Sequence, residues 1–416
     1  MTGPHGGGRC LLFVESNTTG SGMRAIQRAL AMGLRPALLT SNPDRYAGLA
    51  NTGAEVLLGE TNTLPGLVDA INRIEGGRLA GVTTTSEFYA ELTARLAAIL
   101  DLPGNPPDAV ASCRRKDRTR TMLRAAGLLT PAFAVVRHEE QVAAAVAAVG
   151  LPCVVKPSAD TGSCNVLWCA SVAQALAQCQ IILRDHTNVR GQLSPATALI
   201  EQYIAGDEYS VEMISRQQRT SCVGVTGKLV TGKPHFVESG HVFPAPLTGP
   251  RRATIEATAA AGLAAVGITD GVTHTEIRLG PDGPVIIEIN ARPAGGMIPE
   301  MISLAGGGDL LGAQIRCAVG QPPAEFPDPH RAGAIAFLLA ERDGRLRSVL
   351  GVADALALPG VEEVTVTARH GSWVRRPHDA YDRAGFVLGH GVDAAHAEET
   401  VHAGRDLVRL VLDEER

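Results

Sequence analysis

Two short segments decide the reading of this chain: His274-Thr275-Glu276-Ile277-Arg278 and Glu288-Ile289-Asn290-Ala291-Arg292-Pro293-Ala294-Gly295-Gly296. Polar and apolar residues alternate in both. A period of two predicts strands over 273–279 and 285–289, joined across the turn 280–283. Alternate residues of a strand share a face. Glu288, Asn290 and Arg292 therefore point one way, as do His274, Glu276 and Arg278, while Ile277, Ile287 and Ile289 point into the core. Two carboxylates and an amide oxygen on paired strands are hard donors of the kind Mg²⁺ takes, an ion that keeps water and substrate phosphates in its shell. Arg292 then lies beside the metal-bound phosphates. The strand ends at Pro293-Ala-Gly295-Gly296, a turn whose backbone approaches a ligand closely. The plainer alternative is a hairpin with a solvated polar face and cross-strand Glu–Arg pairs.

Working outward, the cations are almost all arginine; Lys116, Lys156, Lys228 and Lys233 are the only four lysines. A lysine retained in such a chain suggests a need for a compact point charge. Lys156 ends a strand and precedes a polar loop with Ser158, Thr161, Gly162 and Ser163. Backbone N–H groups and hydroxyls of that kind grip phosphate oxygens while the ammonium offsets their charge; an ordinary hairpin with a surface lysine is the alternative. Between Glu201 and Glu208 the chain leaves one strand, turns at Gly206 and enters another. Backbone groups of 201–204 suit an adenine edge, Tyr203 and Ile204 suit apolar walls, and Glu208 suits ribose hydroxyls.

The flanks supply the frame. Residues 10–107 alternate short apolar runs with helical patterns, which predicts a small parallel α/β domain ending at the Pro-rich stretch 102–107. Its Gly20/Gly22 turn lacks the full dinucleotide fingerprint and reads as a tight strand-to-helix turn. A helix over 108–124, a strand over 235–237 and a final helix over 394–412 are expected. The arginines at 114, 115, 118, 120 and 124 read as a solvated helix face rather than a nucleic-acid surface, since the net charge is -5 and the signs are mixed. No segment nears the roughly 20 apolar residues that span a bilayer. Residues 1–9 are Gly-rich, unlike a signal peptide, and read as a disordered tail. The eight cysteines contain no Cys-x-x-Cys pair, so a reduced, cytoplasmic protein is expected.

Lys116 with Asp117, Val155-Lys156-Pro157 with its loop, the 201–208 stretch and Glu288–Gly296, in this order, resemble the ATP-grasp superfamily, and within it the carboxylate–amine ligases that act on amino acids. The resemblance implies an α/β fold with three parts: a Rossmann-like pre-ATP-grasp domain (10–107), an ATP-grasp region (108–330) with a small mobile lid at about 125–203, and a C-terminal α+β lobe (331–416) completing the larger antiparallel-sheet domain. Lys116 and Lys156 would hold ATP phosphates, and Lys228 would reach the γ-phosphate. Glu201 and Ile204 would bind adenine through backbone groups, with Glu208 on the ribose. Glu276, Glu288 and Asn290 would ligate two Mg²⁺ ions, for which Mn²⁺ can substitute. Arg292 would contact the acyl phosphate and the developing oxyanion. Glu238 and His241 match a segment lining the substrate pocket; Glu238 would meet an ammonium and His241 a carboxylate or phosphate. His274, Gly295 and Gly296 fall on the same substrate side. The phosphate loop departs from the family pattern at Ala159-Asp160, where a more flexible pair is usual.

The expected activity is ATP-dependent amide-bond formation through an acyl phosphate, giving ADP and phosphate, from small carboxylate and amine substrates of which at least one is an amino acid. No nucleic acid or membrane partner is expected, and a homodimer is plausible by family. Two rival readings are a catalytically silent nucleotide-binding regulator with the same fold and, from the N-terminal pattern alone, a nicotinamide-dependent oxidoreductase.

Overall fold

Runs buried on both faces build the first unit. Cys10–Val14, Arg35–Thr40 and Leu79–Thr83 are nearly continuous apolar stretches, as parallel strands covered by helices on both sides must be. With the half-buried edge strand Glu55–Leu58 they form a four-stranded parallel sheet, flanked by the helices Ser21–Ala31, Leu64–Ile71 and Ala90–Ile99. The structure, a computed structural model, describes residues 9–18, 20–74 and 79–413; the tail expected at 1–9 lies outside the described residues except for Arg9.

A second, antiparallel sheet has the order Phe133–Val136, Ala198–Gln202, Cys153–Pro157, Leu167–Cys169. Helices Val142–Val149 and Val172–Arg184 bury its apolar face. The third sheet has eight antiparallel strands. Gly283–Asn290 and Gly271–Gly280 lie at one end, followed by Glu208–Arg216, Arg219–Val230 and Glu238–Phe243, then by Ala332–Leu338, Gly385–Gly391 and Val361–Val366 from the C-terminal part. Helix Gly249–Val266 covers one stretch of it, and Ile298–Leu304 with Leu310–Ala318 another.

The chain crosses from the small sheet to the large one between Gln202 and Glu208. Gly206 there has φ +141°, and a Cβ on it would lie 2.0 Å from the Leu279 carbonyl oxygen. Gly206→Ala is therefore expected to destabilise the fold by about 2–3 kcal/mol, seen as a lower urea midpoint at unchanged slope. An unchanged midpoint would mean that the crossing relaxes freely.

Several local expectations are corrected. The helix expected over 108–124 is two helices, Pro107–Arg114 and Lys116–Ala125, broken at an extended Arg115, so that the Lys116 N–H donates to the Ser158 carbonyl (2.9 Å). Residues 235–237 are not a strand but a loop closed by Thr231, whose N–H donates to the Val237 carbonyl (2.7 Å) and whose hydroxyl accepts from the Val237 N–H. The final helix stops at Leu407, and Arg409–Leu412 is a strand beside Gly344–Leu350. Ile287 is not a core residue. Pairing shifts from Ile277↔Ile286 to Glu276↔Glu288, and the extra residue of that bulge faces the cleft while Ile286 takes the core position.

Candidate active site

The ribbon Gly271–Gly280/Gly283–Asn290 places Glu276 directly opposite Glu288, and His274 opposite Asn290. Lys228 Nζ contacts Glu276 at 2.8 Å and Lys116 Nζ contacts Glu288 at 3.2 Å. Two facing carboxylates thus gather cations to offset their repulsion. His274 is buried. Its Nδ1 faces Glu212 at 2.9 Å and its Nε2 faces Glu276 at 3.3 Å. Burial alone would depress this imidazole, but Glu212 and Glu276 overcome it and raise its pKa to about 9. His274 is accordingly an imidazolium that orients Glu276. Glu212, fully buried, is a residue that strand periodicity did not single out.

Lys228 joins three sets of residues. It lies 3.1 Å from Glu208, 2.5 Å from Glu238 and 2.8 Å from Glu276. Its burial opposes the charge, yet the three carboxylates hold its pKa well above the ordinary lysine range. Glu238 also meets Arg383 at 2.7 Å. His241, by contrast, is 1% exposed and neither ring nitrogen has a hydrogen-bond partner among the described residues. Burial drives its pKa down to about 3, leaving a neutral imidazole. Gly296 is at φ +58°, and a Cβ there would press on His241 Nε2 at 2.8 Å; Gly295 and Gly296 line the same cavity.

Lys156 and Glu201 form a buried cluster with Arg120. Glu201 accepts from Arg120 Nε (2.7 Å) and Nη2 (3.3 Å) and lies 2.6 Å from Lys156 Nζ. Arg120 Nη2 also donates to the Ile287 carbonyl (2.7 Å). This ties the small sheet to the large one, and Arg120 is no solvated residue: its exposure is 0%. Burial pushes the Lys156 pKa down more than Glu201, shared with Arg120, lifts it. The Glu201 side chain therefore secures Lys156, and its backbone lies within the small sheet between Phe133 and Val154.

Burial alone would raise the Glu201 carboxyl, but Arg120 and Lys156 hold it at about 2. A depressed carboxylate contributes stability that is complete above the unfolded value near 4.5 and is lost as pH falls toward 2. That contribution is about 3 kcal/mol. Arg120→Met, which leaves a buried carboxylate short of a partner, should lower unfolding free energy by about 3 kcal/mol or more at pH 7. The wild-type advantage over Glu201→Gln should shrink between pH 4.5 and pH 2 in parallel denaturant titrations; a constant gap would refute the assignment.

The phosphate-loop expectation is corrected at Ser158. Its hydroxyl donates to Asp117 and accepts from Arg115 Nε (3.3 Å), its N–H donates to Thr197, and its carbonyl accepts from Lys116. It secures the loop and has no group left for a phosphate. Lys116 Nζ donates to the Asp160 carbonyl (2.7 Å), and the Asp160 carboxylate accepts from the Thr161 N–H. Gly162 (φ +71°) and Ser163 (φ +59°) turn the loop toward the cleft. Tyr203 stacks near-parallel on Phe236 with centroids 5.9 Å apart, and Ile204 joins them in the cleft wall. Glu208 accepts from Arg278 Nε and Nη2 (3.0 and 2.9 Å), and Arg278 Nη1 donates to the Ile204 carbonyl (3.1 Å).

Arg292 Nε lies 2.9 Å from Glu87 Oε2 of the first unit, a partner that the sequence pattern could not show. The Asn290 amide fits its surroundings with its nitrogen toward Glu87 (2.9 Å) and Glu288 (3.2 Å). The cleft around Lys116, Lys156 and Glu288 adjoins a cavity of about 740 Å³, and both are lined by Gly162, Glu238, Glu276 and Arg292. Among the described residues, no helix is long and apolar enough to cross a membrane.

A small and a large antiparallel sheet clasping such a cleft, with lysines and carboxylates contributed from both, define an ATP-grasp protein. The chain belongs to the ATP-grasp superfamily: an ATP-grasp domain matches residues 149–300, and the L-amino acid ligase C-terminal domain 2 matches residues 336–413. The protein y4rH of Sinorhizobium fredii is 30% identical over 381 residues, covering 91% of this chain and 78% of that protein. Carnosine synthase 1 of Gallus gallus is 30% identical over 61% of this chain, a match spanning 29% of the relative's own length. The crystal structure of the L-amino acid ligase from Bacillus licheniformis superposes with a TM-score of 0.81 at 21% identity, covering 98% of this chain and 99% of that one.

Proposed function

We propose that this protein is an ADP-forming ligase that joins a carboxylate to an amine through an acyl phosphate, with an amino acid as at least one substrate. The observation that carries the proposal is the common wall of the two cavities. Glu276 and Arg292 lie where a nucleotide cleft holding Lys116 and Lys156 opens into a space large enough for organic substrates. The names of its relatives, carnosine synthase, D-alanine–D-alanine ligase and alanine–anticapsin ligase, fall in the same class.

The residues present suit Mg²⁺ bound together with a polyphosphate. Glu276 and Glu288 face each other, with the ammonium groups of Lys228 and Lys116, His274 and the Asn290 amide around them. Among the described residues, no three His, Cys, Asp or Glu side chains could hold a metal alone; an ion that draws ligands from phosphate and water fits this incomplete set. Asn290 would turn its amide oxygen toward the carboxylates. Bound there, Mg²⁺ would supply charge compensation on the transferring phosphoryl group.

The chain's own residues do the rest. Lys156 and Lys116 would take the phosphates, and Tyr203, Ile204 and Phe236 would enclose the base, with Glu208 at the ribose. The guanidinium of Arg292, aligned by Glu87, would face the acyl phosphate and then the tetrahedral oxyanion. Glu238 and the neutral His241, whose ring nitrogens make no hydrogen bond among the described residues, would meet the substrate, His241 donating one hydrogen bond and accepting another. A closed small sheet would keep water from the acyl phosphate. The intact set of phosphate, carboxylate and arginine residues argues against a silent nucleotide binder. Screening pairs of amino acids for phosphate and ADP release, with mass spectrometry of the products, tests the proposal; ATP binding without amine-dependent ADP release from any pair would refute it.

A further inference from the structure

One peptide plane of the phosphate loop is held from the C-terminal part of the chain. The Ala380 N–H donates to the Gly162 carbonyl at 2.9 Å. Ala380 opens the short turn Ala380–Asp382, which lies between the strands Trp373–Val374 and Gly385–Gly391. In a trans peptide the carbonyl of one residue and the N–H of the next point in opposite directions. Fixing the Gly162 carbonyl on Ala380 therefore turns the Ser163 N–H away from the C-terminal part. That N–H has no acceptor among the described residues. Ser163 lines the nucleotide cleft but not the larger cavity, whereas Gly162 and Ala380 line both.

The turn is anchored at both ends. Asp379 caps it by accepting from the Tyr381 N–H (2.8 Å), and Asp382 accepts from the His378 N–H (2.8 Å) and from Arg375 Nε (2.5 Å). Beyond it, Arg383 donates to the Glu238 carboxylate (2.7 Å) and carbonyl (3.2 Å). The loop, by contrast, has two successive residues with left-handed φ, +71° at Gly162 and +59° at Ser163. A serine keeps that conformation only where its surroundings hold it. Those surroundings are the turn and the segment beside it. A Cβ on Gly162 would lie 3.3 Å from the Tyr381 ring. His235 stacks on His378 with centroids 4.4 Å apart, next to the Phe236 carbonyl that accepts from the Ser163 hydroxyl (3.4 Å).

We infer that Ala380 is a positioning residue for the nucleotide: through the Gly162 carbonyl it aims the Ser163 N–H at a phosphate oxygen. The inference rests on the reading of this cleft as a nucleotide site. An N–H already aimed needs no reorganisation when the phosphate arrives. The C-terminal part thereby sets a phosphate contact made by the loop of a different sheet.

The test removes the donor and keeps the turn. Ala380 is the first residue of the turn and Asp379 before it is extended (φ -149°, ψ 179°), so the backbone there accepts Ala380→Pro. Proline loses the N–H and places a methylene against the Gly162 carbonyl. Ala380→Ser keeps the N–H. Calorimetric titration with ADP and Mg²⁺ should show binding about fivefold weaker or more in Ala380→Pro. Ala380→Ser should stay within about twofold of wild type, and both variants should keep the wild-type thermal midpoint. With a pair of amino acids that turns over, Ala380→Pro should raise KM for ATP by a similar factor and leave KM for the amino acids level. A turn that served folding alone would lower the midpoint and shift all of these constants together. Equal ADP affinity in the Ala380→Pro and Ala380→Ser proteins overturns the inference, as does an amino-acid KM that rises with that for ATP. If Ala380→Pro does not fold, Tyr381→Ala, which removes the ring beside Gly162, decides: weaker ADP binding supports the inference and wild-type binding overturns it. Wild type that binds ADP but forms no amide from any pair would refute the ligase reading and leave the ADP comparison standing.

Discussion

Glu288→Ala is expected to lower amino-acid-dependent ADP release by about three orders of magnitude or more. Glu288 stands opposite Glu276 and is the nearest carboxylate to Lys116. Removing it halves the anionic charge available to a divalent cation and leaves the Lys116 ammonium on the Asp160 carbonyl alone. The loss should appear in turnover and in the Mg²⁺ concentration needed for half activity. The fold should survive with a modest fall in thermal midpoint, because the relief of repulsion from Glu276 is offset by the buried Lys116 ammonium losing its carboxylate partner. A folded variant with near-normal turnover would refute the cation-ligand assignment for the ribbon.

Arg292→Lys should cost about two to three orders of magnitude in kcat while changing KM for ATP little. The side chain is buried, its Nη1 donates to the Pro293 carbonyl (2.9 Å), and Nε faces Glu87. A lysine keeps the charge but loses the planar fork that lets Glu87 and the backbone set the direction of the remaining donors. Because the proposed role spans acyl-phosphate formation and amine attack, amide product should fall at least as much as ADP. Activity within threefold of wild type would show that the oxyanion is stabilised elsewhere.

These two predictions rest on residues that could be read directly from the sequence, and others do not. Strand period placed Glu276, Glu288, Asn290 and Arg292 on one ribbon, lysine scarcity drew attention to Lys156, and the family resemblance added Lys116 and Lys228. The same local logic failed where partners are remote. The arginine run at 114–124 has helical spacing, yet Arg120 is buried against Glu201, 81 residues away. Ser158 sits in a loop of phosphate-binding composition, but Asp117 takes its hydroxyl. Ile287 obeys the alternation, and a bulge turns it into the cleft. Phe236 lies in a segment with a strand-like pattern and instead faces Tyr203 from a closed loop.

The sequence by itself determined the alternation of strands and helices in the first unit, the ribbon of the site, the superfamily, and the carboxylates and lysines around which the proposed site is built. These follow from local periodicity and from residue types that are scarce or costly unless used. Only the tertiary structure decided which ions neutralise one another: Glu87 with Arg292, Glu212 with His274, and three glutamates on Lys228. Whether a charge is matched depends on which distant strand or loop meets it across a low-dielectric cavity, and no window of neighbouring residues carries that information.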